Sequence, residues 1–124
     1  MPKSILVIDD DVLVLKTVKK LLDREGYLVE AAKDASEGFE KVKKQEFNLI
    51  VCDVRMPSVD GIELIEQVKN FRKSENKPAI PFVFITGYAS EEAPIKALKL
   101  GAKDYILKPF DIDKLLESVK NNLA

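Results

Sequence analysis

The 124-residue sequence contains no histidine, no tryptophan and a single cysteine. Without imidazole there is no Ser–His or Cys–His nucleophile pair, no histidine general base and no histidine metal ligand. The lone thiol, Cys52, cannot close an intrachain disulfide, and its place inside an apolar run reads as core packing. Long apolar runs are also missing: nothing approaches the ~20 residues that cross a bilayer. The opening Met1-Pro2-Lys3-Ser4 leads straight into a strand-like segment, so we expect a soluble, cytoplasmic protein. Neither charge is in surplus: 20 basic against 21 acidic residues leave a net charge of −1, which argues against direct nucleic-acid binding and against an anionic membrane surface. Any chemistry must therefore use oxygen and lysine. What is present, 46% hydrophobic and 33% charged residues over this length, is the mix of one domain with a buried core.

Apolar patterning alternates between two periods. Residues 4–8, Ser-Ile-Leu-Val-Ile, form a run rich in β-branched side chains that stops abruptly at Asp9-Asp10-Asp11, as a fully buried strand would. Leu15, Val18, Leu21 and Leu22 then recur at helical spacing, with Gly26 as the stop. The alternation repeats with a strand at 27–31, a helix striped by Ala35, Phe39 and Val42, and a strand at 47–52 closed by Asp53. Met56-Pro57 and Asp60-Gly61 mark a loop before a helix carrying Leu64, Ile65, Val68 and Phe71; the charged stretch 72–78 reads as a solvated turn. A fourth strand at 81–85 ends in Thr86-Gly87. Ser90 is the expected N-cap of a short helix anchored by Ile95, Leu98 and Leu100, with Pro94 in its first turn and Gly101 at its end. The fifth strand, 103–107, precedes Lys108-Pro109 and a last helix striped by Ile112, Leu115, Leu116, Val119 and Leu123. Strands separated by helix-length segments imply an α/β fold: a doubly wound parallel five-stranded sheet with helices on both faces.

Open sheets of this kind bind ligands beyond the carboxyl ends of their strands. The residues at those ends are Asp9 and Asp10 after the first strand, Asp53 after the third, Thr86 after the fourth and Lys108 after the fifth. Three carboxylates in one crevice repel one another and need a cation or protons. Oxygen-only ligation favours a hard divalent ion, Mg2+ above others, with Lys108 sharing the neutralisation. A carboxylate beside such an ion can act as a nucleophile toward phosphorus and form an aspartyl phosphate, with Thr86 donating to the transferred group. Asp11 is read only as a helix start.

The segments Val7-Ile8-Asp9-Asp10-Asp11, Val51-Cys52-Asp53-Val54-Arg55-Met56-Pro57, Asp60-Gly61, Ile85-Thr86-Gly87 and Tyr105-Ile106-Leu107-Lys108-Pro109-Phe110 together resemble the receiver domain of bacterial two-component response regulators. The resemblance spans essentially the whole chain, 1–124, read as one receiver domain without an output domain. It implies a flavodoxin-like (βα)5 fold with strand order 2-1-3-4-5. It further implies that Asp53 accepts the phosphoryl group and that Asp10, Asp53 and the backbone carbonyl of Arg55 ligate Mg2+, with Mn2+ as a substitute. Asp9 would act through a metal-bound water. Thr86 and Lys108 would grip the phosphoryl group, and the Lys108-Pro109 peptide would be cis. Thr86 and Tyr105 would form the switch that alters the fourth helix, fifth strand and fifth helix, and that fourth helix should be the fastest-exchanging one. Arg55 and Tyr88 would flank the mouth of the site. Lacking histidine, the chain needs an external donor, a histidine kinase or histidine phosphotransfer domain, and it would act on an output protein or tethered output domain. On this reading it catalyses only its own phosphorylation and dephosphorylation.

Two rivals share the architecture. A Mg2+-dependent phosphohydrolase with an aspartate nucleophile usually carries a second acid two residues later, where this chain has Arg55, and no segment reads as a substrate cap. A flavodoxin would need a glycine- and hydroxyl-rich phosphate loop where Asp9, Asp10 and Asp11 stand.

Overall fold

Ile5 and Val7 point to one side of the first strand and Leu6 and Ile8 to the other, and all four are fully buried, so the sheet must be covered on both faces. That arrangement is found in a computed structural model of the chain, which describes residues 2–56, 59–87 and 92–123, the side chains of 92 and 93 excepted. The elements run β1 (Ser4–Ile8), α1 (Val12–Arg24), β2 (Leu28–Ala32), α2 (Ala35–Lys44), β3 (Leu49–Asp53), α3 (Gly61–Ser74), β4 (Phe82–Thr86), α4 (Glu92–Leu100), β5 (Asp104–Leu107) and α5 (Ile112–Leu123). All neighbouring strands are parallel, in the order β2-β1-β3-β4-β5, which is the expected topology. The order reverses between β1 and β3, the switch point at which such sheets open a crevice.

Two cores flank the sheet. On one face α1 (Leu15, Val18, Leu22) and α5 (Leu115, Val119) cover Ile5, Val7, Val51 and Val83. On the other, α2, α3 and α4 cover Leu6, Ile8, Ile50, Cys52, Phe82 and Phe84. Gly26 takes φ +91° in the turn after α1, as a residue without Cβ can.

Three expectations need correction. The stretch 72–78 is not simply a solvated turn, because α3 runs on to Ser74. Arg72 is 4% exposed, bonded through Nε to the Pro78 carbonyl at 2.9 Å and through Nη1 to both Glu46 oxygens at 2.8 and 2.9 Å. Its guanidinium is satisfied by a backbone carbonyl and by the exposed Glu46 carboxylate, so a buried charged side chain closes the base of the α3–β4 connection. Of the expected α4 anchors Leu100 packs against the core, but Ile95 and Leu98 are 55% and 75% exposed, and among the described side chains of the helix the buried one is Ala97, at 1% exposure. The helix packs by a small residue that lets its backbone approach the sheet, which an apolar-size criterion passes over. Ile112, read as part of the α5 stripe, is likewise 46% exposed. The Ser90 cap lies outside the described residues.

Candidate functional site

Parallel registry turns scattered sequence positions into one row. Ile8 pairs with Cys52, Asp53 with Ile85 and Thr86 with Leu107, so at this edge of the sheet Asp9 stands level with Asp53, Thr86 one residue further along and Lys108 one further again. One carboxylate oxygen from each of Asp9, Asp10 and Asp53 lies within 4.8 Å of the others. Asp10, Asp53, Arg55, Thr86, Gly87 and Lys108 line a cleft of about 690 Å³ above them.

The three acids differ in their surroundings. Asp9 is fully buried; its Oδ1 accepts the Asp11 N–H at 2.9 Å, which ties the β1–α1 loop to the floor of the site. Its Oδ2 meets the Lys108 ammonium at 2.7 Å, a charge contact without an aligned hydrogen bond. Asp10 is exposed at the rim. Asp53 is 4% exposed, accepts the Arg55 N–H at 3.2 Å through Oδ1, and lies 3.4 Å from Lys108 Nζ through Oδ2. Burial, reinforced by the Asp9 charge, raises the Asp53 carboxyl to a pKa of about 6, against the opposing pull of Lys108 and the Arg55 amide. Burial works against the Lys108 ammonium as well, but its pairs with Asp9 and Asp53 outweigh it and leave that pKa raised. One ammonium thus faces three carboxylates, a donor set of hard oxygens with charge to spare for a divalent cation.

The expected gathering of Asp9, Asp10, Asp53, Thr86, Arg55 and Lys108 is therefore present, and the Lys108-Pro109 peptide is cis. Tyr105 is elsewhere: half-buried on β5, it lines a separate hollow with Asp104, Phe110 and Lys114, its ring 6.4 Å from that of Phe84 at 69°. Tyr88 lies outside the described residues. Asp11 starts α1 as expected, its Oδ1 accepting the Leu13 and Val14 amides at the N-cap, and the residue also lines the cleft. Sequence reasoning did not foresee that Lys108 sits closer to Asp9 than to Asp53; strand-end position gives the level of each residue but not its depth.

A family model for the response regulator receiver domain matches residues 5–120. The chain belongs to that family. Among characterised proteins, this receiver is 40% identical over 121 residues to the transcriptional regulatory protein ZraR of Klebsiella oxytoca and 38% identical over 125 residues to the chemotaxis protein CheY of Treponema pallidum. Both alignments cover 98% of the chain, but it spans only 26% of ZraR against 83% of CheY. Among solved structures, a CheY-like receiver domain protein from Methanospirillum hungatei JF-1 superposes with a TM-score of 0.90 at 38% identity, covering 99% of this chain and 94% of that one.

Proposed function

We propose that this receiver is a phosphorylation switch with Asp53 as the phosphoacceptor. The observation that carries the reading is the convergence of Asp9, Asp10 and Asp53 within 4.8 Å beside Lys108. Asp10, Asp53 and the Arg55 carbonyl would hold Mg2+, or Mn2+ in its place, with Asp9 acting through water. The donor set fits such an ion: every ligand is oxygen, and the three gathered carboxylates outnumber the one ammonium beside them. When bound, the ion neutralises charge on the phosphoryl oxygens.

The chain's own residues then divide the work. An Asp53 carboxylate oxygen attacks phosphorus while the bond from phosphorus to the donor breaks and its electron pair leaves on the donor, a phosphohistidine imidazole that takes up a proton, or a small acyl phosphate. Lys108, already 3.4 Å from Asp53 Oδ2, can follow the new charge, and the Thr86 hydroxyl donates to a phosphoryl oxygen. The site supplies the reaction only to itself, so the chain is not an enzyme with free substrates. A histidine kinase or phosphotransfer domain is the donor, and the receiver acts through a downstream protein or tethered output domain. With a net charge of −1, residues 1–124 form a receiver unit that does not itself read nucleic acid. Transcriptional output of the kind named for ZraR belongs to such an output part. No helix among the described residues is long and apolar enough to cross a membrane, and we place the protein in the cytoplasm.

Phosphorylation is proposed to draw Thr86 toward the site and to let Tyr105 move, changing the surface of α4, β5 and α5. Shifting a two-state equilibrium from 1:99 to 99:1 takes about 5.5 kcal/mol. Charge-assisted bonds from Thr86 and Lys108 at roughly 1.5–3 kcal/mol each reach that figure only at the upper end of their range. Mass spectrometry after acetyl phosphate and Mg2+ tests the assignment: wild type gains one phosphoryl group and Asp53→Asn gains none. The phosphohydrolase alternative requires multiple turnovers on a small phosphomonoester.

A further inference from the structure

Gly61 opens α3, and its surroundings differ from those of the other glycines. A Cβ built there would stand 2.1 Å from the Asp53 carbonyl oxygen and 3.0 Å from both the Asp53 carbonyl carbon and the Val54 Cα. All three are backbone atoms with no rotamer to escape into. At Gly38 the crowding atom is the tip of the Ile8 side chain, at 2.7 Å, which can turn aside. Gly26 and Gly101 are required by their positive φ and have open space or ordinary contact around them. The φ of Gly61 lies outside the left-handed region, so what this position needs is room.

The close approach has a definite target. The Gly61 N–H donates to the Val54 carbonyl at 2.6 Å, so the first amide of α3 grips the peptide between Val54 and Arg55. That peptide separates the Asp53 side chain from the Arg55 carbonyl, and the Arg55 N–H in the same peptide donates to Asp53 Oδ1 at 3.2 Å. The Asp60 carboxylate, through Oδ1, accepts the Glu63 N–H at 2.8 Å and fixes the turn from which Gly61 reaches back. Resting on the phosphoacceptor reading above, we propose that Gly61 is a positioning residue: its missing side chain lets α3 lie against the Asp53–Arg55 backbone and aligns that segment's oxygens for the divalent cation. Any side chain at 61 must push either α3 or the Asp53 main chain, and the second displaces the site directly.

The test compares Gly61→Ala with Gly26→Ala, which strains a turn outside the site. Mg2+ is titrated into each full chain while amide NMR shifts are followed, and labelling by acetyl phosphate is measured across Mg2+ concentrations. Positioning predicts a Mg2+ dissociation constant raised about tenfold or more in Gly61→Ala, with the Mg2+ dependence of labelling shifted to match, and a wild-type constant in Gly26→Ala. A wild-type constant in Gly61→Ala, or equal weakening in both variants, overturns the proposal. Should Gly61→Ala lack the native circular dichroism spectrum, Asp60→Ala replaces it, keeping the glycine but freeing the turn. A raised Mg2+ constant then supports the role and an unchanged one overturns it. Wild type that takes no label would sink the phosphoacceptor reading itself, whereas labelled wild type with an unaffected Gly61→Ala sinks only the positioning role.

Discussion

At Asp53 the folded chain holds a carboxyl with a pKa of about 6, where an unfolded chain has an ordinary one at 3.8. Between those values the native state binds more protons than the unfolded state, so this group's contribution to stability falls as pH rises through the interval and stays low above it. Replacing Asp53 by Asn removes the penalty. Near neutral pH, urea melts of the metal-free Asp53→Asn variant should therefore show a gain of about 1–2 kcal/mol after screening at the open cleft, fading toward about pH 4. Destabilisation at neutral pH would contradict the account. Cys52 gives a second test: burial, then the charges of Asp53, Asp9 and Asp60, push its thiol well above its usual range. Iodoacetamide should label it only in denaturant, and labelling of the native chain at the rate of a free thiol would contradict that. The core role of Cys52 could be read from its apolar neighbours. The separate depths of Asp9 and Asp10 could not, because consecutive residues leaving a strand have no pleat to assign their sides.

Among the elements, α1, α2 and α3 each begin at an aspartate whose carboxylate accepts first-turn amides: Asp11, Asp34 and Asp60. Asp34→Ala leaves the Glu37 amide unsatisfied and should cost about 1 kcal/mol in urea melts while leaving the extent of Asp53 labelling unchanged. Loss of labelling at equal foldedness would show that α2 is coupled to the site. The other end of α4 is held from outside: Lys69 on α3 donates to the Leu100 carbonyl at 2.5 Å, where the helix leaves a carbonyl unpaired. Lys69→Met should speed amide exchange in the last turn of α4 without changing α1, and equal protection in both proteins would remove that role. With Ala97 buried and Ile95 and Leu98 exposed, α4 has a slender hold on the sheet, which supports the expectation that it exchanges fastest of the helices.

At the scale of the molecule, strand–helix alternation was enough to anticipate a parallel sheet covered on both faces, and the acids closing β1 and β3 to anticipate the edge where they gather, while the strand order was an expectation from the family resemblance. Periodicity worked best for β1, β3 and β4, which are buried on both faces, and for helices buried on one. It failed where polar or small residues do the packing. Arg72 looked solvated because its partners, Glu46 and the Pro78 carbonyl, come from other segments, and Ala97 looked incidental because it is small. Gly61 read as turn chemistry, since nothing in one dimension shows that β3 and α3 touch.

The central claim is that Asp53 takes up a phosphoryl group with Mg2+ present, and intact-mass spectrometry of wild type and Asp53→Asn after acetyl phosphate treatment measures it most directly. The account predicts one added phosphoryl group on wild type, lost when Mg2+ is chelated, and none on the variant. Equal modification of both proteins would contradict it.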